Sequence, residues 1–282
     1  MIQSIASGEI RENKIEITPQ LVARFKDNWN CLVKEGFFTP NFALPFYHLS
    51  KEKKAFWYLR TYPGKEILLT SSLSIRSFSQ LHEAVAYAFF DENLFALLIQ
   101  TATREALYHF LLNHYFKANN HSYLQGGLFE EIIDQILNDP PAIYQQFVET
   151  ADEEEIFIRC GVFKRVVPQI YDHTCCISGM HIISVYDLQM VDACHIVPFA
   201  VSHNDTISNG LSLSPTVHRA FDRGLISINS EYKVIVSDSF TENSSDSSIR
   251  VYEGKEIILP KDKSYHPSFV NLEWHRREVF KT

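Results

Sequence analysis

A short helix whose two ends are both specified by the sequence constrains the fold of this chain more than any other feature. Ser214 followed by Pro215 predicts the start, because serine caps a first turn and proline fits the first helical position. Gly224 predicts the end, since glycine readily adopts the left-handed conformation that follows a last turn. Between these limits His218 and Asp222 stand four residues apart and share one face. The pair could therefore share one cation.

The segment before this helix predicts a strand and a turn. Leu188 to Val197 has the apolar and β-branched content of a strand, and Asn209 followed by Gly210 predicts a turn with positive φ that folds the chain back. The order strand, turn and helix gives a ββα unit. In that unit His195, on the strand, faces a metal ion held from the helix.

The composition indicates a soluble globular chain with room for two domains, because it has 282 residues of which 45% are hydrophobic. The first twenty residues contain charged side chains and no sustained apolar run, so we expect neither a signal peptide nor a membrane anchor. Five cysteines, an odd and low number, fit a reducing compartment, and the expected location is the cytoplasm. The net charge of −8 argues against general polyanion binding, so any basic surface must be local.

The N-terminal half predicts helices and one hairpin. Thr18 and Pro19 predict the start of an amphipathic helix that ends by Gly36. Two apolar and aromatic runs within Leu44 to Leu59 flank a charged stretch, which predicts a β hairpin with a polar turn.

Further along, Ser77-x-x-Gln80 matches a capping box. The apolar periodicity that runs through Phe90, and again from Leu94 to Phe116, predicts two or three packed helices. We therefore expect an α+β fold in this half.

The predicted organisation is α+β throughout, with a mixed α/β N-terminal domain and a C-terminal ββα domain. A polar, glycine-containing stretch after residue 117 and the pair Pro140-Pro141 mark the connection between them, and Leu128 to Leu137 predicts a bridging helix. The predicted limits are residues 1–120 for the first domain, 121–151 for a helical linker and 152–282 for the second domain.

The C-terminal motifs together resemble the HNH endonuclease family. The resemblance depends on His195, Asn209 and His218 in order, on Ile-x-Pro after the first histidine, on Asn-Gly-Leu at the turn, and on His-Arg-Ala-Phe-Asp-Arg-Gly in the helix. Cys176-Ile177-Ser178-Gly179 is similar to the opening of many such domains, and Trp274-His275-Arg276-Arg277 is similar to the tail of restriction-type members.

This resemblance implies a role for each motif residue in phosphodiester hydrolysis. His195 would be the general base that takes a proton from water, and His218 would bind the divalent cation, with Mg²⁺ or Mn²⁺ expected. Asn209 would fix the loop and orient His195 through backbone hydrogen bonds, although its amide oxygen is also a possible ligand.

One position departs from the family pattern. Many members carry an acidic ligand immediately before the base histidine, where this chain has Cys194. Asp192 or Asp222 must then supply the carboxylate, and spacing alone does not decide between them; Asp222 could also pair with an arginine of its own helix. Cys194 is interpreted as a small buried strand residue outside the catalytic set, with soft ligation as the alternative. Because Cys175 and Cys176 have no partner pair at finger-like spacing, no structural zinc is expected.

The resemblance implies DNA as the partner and leaves three functions open. The first is a restriction or defence endonuclease that recognises its target through residues 1–120, since similar N-terminal modules recognise DNA and some recognise phosphorothioate-modified DNA. The second is an effector nuclease triggered by a partner or ligand, and the third is a DNA-binding protein with an inactive HNH fold. Double-strand cleavage from one centre would favour a homodimer. Candidate phosphate donors are Arg219, Arg223, Arg276 and Arg277.

Overall fold

A computed structural model describes most of the chain and divides it into two compact units. The described residues are 1–33, 39–54, 56–66, 75–116, 127–182, 184, 189–243, 245 and 248–281. The first unit comprises Met1–Glu131 with Asp152–Ile158, and the second comprises Ile132–Ala151 with Arg159–Thr282. Helices and short antiparallel strands occur together, so the predicted α+β class is confirmed. None of the helices in the described ranges is long and apolar enough to cross a membrane.

The first unit is built mainly from helices, with one pair of strands. Its elements are α1 (Ile2–Ala6), α2 (Pro19–Leu32), α3 (Ala43–His48), β1 (Trp57–Thr61), α4 (Phe78–Ala84), β2 (Val85–Phe90), α5 (Glu92–Ile99) and α6 (Thr101–Tyr115). Helix α2 begins as predicted, because the Thr18 side chain accepts a hydrogen bond from the Leu21 amide and Pro19 occupies the first turn. Gly36, its predicted end, lies outside the described residues.

The predicted hairpin between Leu44 and Leu59 is wrong. Its first arm is helix α3, followed by a 3-10 turn at Leu49–Lys51, and its second arm, β1, pairs antiparallel with β2 instead. The two aromatic runs do contact each other, because the Trp57 indole donates a 2.8 Å hydrogen bond to the Phe46 carbonyl and the two rings pack edge to face at 5.2 Å. Both side chains are buried, so the two aromatic runs indicate packing in the core and not pairing of two strands.

The prediction of helix up to Phe90 is also wrong. The Ser77 cap is present, since its side chain accepts from the Gln80 amide, but helix α4 ends at Ala84 and Val85–Phe90 is strand β2. Valine and aromatic residues favour an extended chain when a neighbouring strand is available. Here β2 pairs along its length with β1, and Ile15 forms an additional antiparallel bridge to Ala88.

The second unit combines two short antiparallel strand pairs with helices. Its elements are α8 (Pro141–Thr150), β3 (Asp192–His195), α10 (Phe199–Ser202), β4 (Gly210–Leu213), α11 (Pro215–Asp222), β5 (Ile226–Ile228), β6 (Val234–Val236) and α12 (Phe269–Glu278). Helices α7 (Leu128–Asn138), which matches the predicted bridging helix, and α9 (Glu153–Ile170) contribute residues to both units. Strand β5 pairs with β6, and β3 with β4.

Strands β3 and β4 form the hairpin that positions the site. Asp192 lies opposite Leu213 and His195 opposite Gly210, and every residue of β4 is buried. The predicted positive φ at the Asn209-Gly210 turn is wrong, because Gly210 has φ −114° and Asn209 ends a 3-10 turn that begins at Ile207. Glycine is needed there for space: a Cβ atom would lie 2.7 Å from Val167 Cγ2.

Helix α11 follows this hairpin with the predicted limits. Pro215 occupies its first turn after the cap residue Ser214, and Gly224 has φ +70° just beyond its end. A Cβ atom at Gly224 would also lie 2.0 Å from the Val279 carbonyl oxygen, so both the conformation and the close approach of the chain require glycine.

Candidate active site

His195 is the last residue of β3 and is held by two different contacts. Its ring stacks on Phe163 of α9, with centroids 3.9 Å apart and planes 7° from parallel. Its Nε2 atom lies 2.7 Å from the Asp205 Oδ1 atom. The side chain of His195 is 19% exposed, whereas that of Asp205 is 1% exposed. The ring is therefore fixed on its buried side and reaches solvent at its edge.

Asp205 belongs to a buried polar network that sequence reasoning missed. Its second oxygen, Oδ2, accepts a 3.4 Å hydrogen bond from the Tyr144 hydroxyl. Burial raises the pKa of Tyr144 well above its ordinary value, and the negative charge of Asp205 raises it further, so the hydroxyl remains a donor. The Arg159 guanidinium lies over the Tyr144 ring, 5.1 Å from its centroid. A buried carboxylate with these neighbours is a fixed acceptor for the histidine.

Asn209 fastens the loop between β3 and β4. Its amide nitrogen donates to the Val197 and Asn204 carbonyl oxygens, both at 2.9 Å, and its amide oxygen accepts from the Val197 nitrogen at 2.9 Å. Its own carbonyl accepts from the Ile196 nitrogen at 2.8 Å, directly after His195. The amide oxygen is thus engaged by the backbone, and the side chain is fully buried within the loop.

His218 lies between the two carboxylates that the sequence left as alternatives. Its Nδ1 atom is 3.5 Å from Asp192 Oδ2, and its Nε2 atom is 3.4 Å from Asp222 Oδ2. The two aspartates therefore contact different nitrogens of one ring. A cation bound at one imidazole nitrogen is not also bound at the other nitrogen. Only one of the two aspartates therefore lies beside the nitrogen that binds the cation.

Cys194 joins this group from the strand. The ligand atoms of Cys194, His218 and Asp222 all lie within 4.8 Å of one another, and the Cys194 thiol donates to Asp222 Oδ1 at 3.8 Å. Burial raises the pKa of this thiol well above its ordinary value, and the neighbouring Asp222 raises it further. Thiol, imidazole and carboxylate are the donor types that divalent transition metals accept, so the group fits a metal ion. Sequence reasoning had placed Cys194 outside the site.

The base candidate His195 and two members of the donor group, His218 and Asp222, line the same cleft. The cleft has a volume of about 390 Å³, and its lining includes Lys164, Ala193, His195, Phe199, His218, Asp222 and His275. Lys164 is exposed on α9 and places a positive charge at the cleft. Buried His275 stacks on Phe221 at 3.7 Å, and burial lowers its pKa to about 4, so this ring is neutral near pH 7.

Comparison with a protein-family model agrees with this geometry. Residues 175–229, which contain β3, β4 and α11, match the HNH endonuclease family model. This segment is an HNH endonuclease domain. Among solved structures, a chain described as a modification-dependent TagI restriction endonuclease shares 23% identity with a TM-score of 0.31, over 42% of this chain and 37% of that one. The match therefore spans little more than a third of that protein, and no curated protein matches this chain.

The arginines of and around the HNH domain differ in availability. Arg219 and Arg223 are exposed on and just after α11. Arg276 instead donates to the Ile228 carbonyl at 2.7 Å, and Arg277 pairs with Glu278 at 2.6 Å. The first two are thus better placed to contact an external phosphate, whereas Arg276 is occupied in attaching α12 to β5.

Proposed function

We propose that this chain is a metal-dependent DNA endonuclease of the restriction or defence type, with His195 as general base. One observation carries the proposal: within an HNH domain, His195 and the His218 donor group line one cleft. Hydrolysis of a phosphodiester needs a base beside the attacking water and a positive charge beside the phosphate. The two sides of the cleft supply groups suited to these two tasks.

The environment of His195 favours one tautomer. The Asp205 carboxylate accepts a hydrogen bond when the His195 proton is on Nε2, and this tautomer has its lone pair on Nδ1. Nδ1 has no hydrogen-bond partner among the described residues. We infer that Nδ1 takes the proton from water, that Asp205 stabilises the resulting imidazolium, and that stacking on Phe163 limits ring rotation.

The cation side of the cleft involves His218 and Asp222. Asp222 is proposed as the carboxylate ligand in preference to Asp192, because its carboxylate lies 3.4 Å from His218 Nε2 and forms a compact donor group with His218 and Cys194, to which Asp192 does not belong. A divalent cation held there supplies Lewis-acid stabilisation of charge on the scissile phosphate and the leaving oxygen. Lys164 and Arg219 would hold the remaining phosphate oxygens, and Asn209 keeps the loop after His195 in place.

Recognition of DNA is assigned to residues 1–120, and one face of the β1–β2 pair supports this. Tyr58 and Arg60 lie on the same face of β1. Their partners across the strand pair are Phe89 and Tyr87 of β2. Tyr58 and Phe89 stack at 5.2 Å, whereas Trp57, on the other face, is buried. Aromatic rings beside an exposed arginine suit nucleic acid, because bases stack on rings and phosphates pair with guanidinium.

The decisive experiment is cleavage of plasmid DNA by the purified full chain, with Mg²⁺, Mn²⁺ or Zn²⁺ and with EDTA. Unmodified and phosphorothioate-modified plasmids are compared in parallel, and sedimentation of the protein with DNA tests for the proposed homodimer. Conversion of supercoiled plasmid that EDTA abolishes supports the proposal, and a preference for one plasmid defines the substrate. Absence of cleavage under every cation, with DNA binding intact, would contradict it and favour an inactive HNH fold. Cleavage that appears only with an added partner would favour the effector nuclease.

A further inference from the structure

The donor group beside α11 has a composition that bears on which cation it takes. It combines a sulfur atom from Cys194, a nitrogen atom from His218 and an oxygen atom from Asp222, all within 4.8 Å of one another. Magnesium prefers oxygen ligands and retains several waters, whereas thiolate ligands favour zinc and related borderline cations. Whether the Cys194 sulfur of β3 binds the cation therefore determines which of these two classes of cation the site prefers.

We propose that Cys194 is a metal ligand, so that the centre is a sulfur, nitrogen and oxygen site that binds Zn²⁺ or Co²⁺ in preference to Mg²⁺. The inference rests on the proposed metal-dependent nuclease and specifies its cofactor. Three protein ligands leave a coordination position for water or a phosphate oxygen, as in catalytic zinc sites. When the sulfur–metal bond forms, the S–H bond breaks and the proton leaves to the buffer, with no change of oxidation state.

The strand geometry directs Cys194 toward this role. Successive side chains of a strand point to opposite faces, so Asp192 and Cys194 share the face that contacts α11. His195 turns the other way and stacks on Phe163 of α9. The hairpin thus separates the ligand from the base even though the two residues are adjacent in sequence.

The surroundings of the thiol also distinguish a ligand from a space-filling side chain. Cys194 Sγ contacts two oxygen atoms, Asp222 Oδ1 at 3.8 Å and the His195 carbonyl at 3.5 Å. It is fully buried, whereas the Asp222 and His218 side chains are 57% and 25% exposed and line the cleft, so the sulfur is the innermost of the three donors. Asp192 contacts the other imidazole nitrogen and stands outside this set of three donors.

The test is a titration of the metal-free full chain with Co²⁺, followed by absorption spectroscopy, and with Zn²⁺ and Mg²⁺, followed by calorimetry. A cobalt–thiolate bond gives a near-ultraviolet charge-transfer band that nitrogen and oxygen ligands do not give. We expect this band in the unaltered protein and in Cys31→Ser, a matched control in which a cysteine of α2 is replaced. Cys194→Asp should lose the charge-transfer band but still bind Co²⁺, as measured by the visible absorption of the bound ion. Its Zn²⁺ affinity should fall at least about 10-fold relative to its Mg²⁺ affinity.

The possible failures are distinguishable. Co²⁺ binding that His218→Ala abolishes but that shows no charge-transfer band would overturn ligation by Cys194 and leave the proposed nuclease intact. Absence of any cation binding that depends on His218 would overturn both. Because replacement of a buried residue can unfold a protein, Cys194→Ser is measured beside Cys194→Asp, with circular dichroism for both. Equal Zn²⁺ affinity in the unaltered protein and in either folded variant would also reject the inference.

Discussion

The β1–β2 and β3–β4 pairs are both short antiparallel ladders, yet they differ in how much of each is covered. In β1 every second residue is exposed, and its outward face carries Tyr58 and Arg60. In β4 all four residues are buried, and the β3 strand beside it ends at His195, which packs on α9. The first ladder presents side chains to solvent, whereas the second holds them in place.

This difference teaches where fixed chemistry and adaptable binding are each supported. The proposed general base, His195, needs a defined orientation, and ring stacking and the buried Asp205 hold its side chain. A surface that reads nucleic acid needs accessible rings and charge, which only a ladder with one open face provides. We therefore expect substitutions in the second ladder to reduce turnover and substitutions in the first to reduce affinity.

The largest expected effect is that of His195→Ala in the enclosed ladder. Loss of a general base costs about 10²- to 10⁴-fold in rate, and DNA affinity should change little because no phosphate-binding charge is removed. Single-turnover plasmid cleavage measures the rate, and a filter-binding titration measures the affinity. His181→Ala, an exposed histidine whose side chain contacts Thr174, is the control and should cleave normally. Near-normal cleavage by His195→Ala would remove this residue from the mechanism.

A smaller loss is expected for Asp205→Asn, because Asp205 is proposed to act through His195 as a positioning residue. The amide keeps the shape of the side chain but not the charge that selects the tautomer and stabilises the imidazolium. We expect kcat to fall by about 10- to 100-fold with KM unchanged, a split that loss of DNA binding would not give, and circular dichroism of the variant tests separately for unfolding. Tyr144→Phe, measured in parallel, should lower kcat by less than about 5-fold. A loss of that size would show that the Tyr144 hydroxyl only supports the Asp205 carboxylate. An unchanged kcat in Asp205→Asn would show that the contact between His195 and Asp205 has no role in turnover.

Next in size is the difference between the two aspartates beside His218. Asp222→Asn should raise the cation concentration needed for half-maximal cleavage by about 10-fold, whereas Asp192→Asn should raise it less than about 3-fold. His218→Ala gives the upper limit for loss of the site. Cleavage is measured over a cation titration at fixed DNA. If Asp192→Asn has the larger effect, the carboxylate ligand has been assigned to the wrong nitrogen of the ring.

Sequence alone predicted the parts of this picture that depend on local signals. The limits of α11 follow from Ser214-Pro215 and Gly224, because caps and stops act within one turn. The aromatic runs around Phe46 and Trp57 led to the wrong prediction of a hairpin, because aromatic residues pack in helices and strands alike. The actual partner of β1 is β2, which lies about thirty residues further along the chain.

The contacts that complete the site depend on tertiary structure and left no local signal. Asp205 reaches His195 only because Asn209 folds the intervening loop back on Val197. Cys194 looked like an ordinary strand residue because its position beside Asp222 arises from the packing of α11 on β3. Gly210 was attributed to a turn with positive φ, which is wrong; the actual requirement, close approach to α9, was visible only in the structure.

The effects expected for the open ladder are on DNA affinity, with the least effect on turnover, and they test the comparison from its other side. Tyr58→Ala and Arg60→Ala should each weaken DNA binding by roughly 5- to 100-fold, the range for loss of one stacked base or a few phosphate contacts. Cleavage at saturating DNA should remain near normal, because neither residue lines the cleft. Fluorescence anisotropy with short duplexes at two salt concentrations measures the affinity, and the salt dependence should weaken in Arg60→Ala only. Phe110→Ala, an exposed aromatic residue on α6, is the matched control. Unchanged affinity in both ladder variants, or a loss of turnover at saturation, would place recognition elsewhere than on β1.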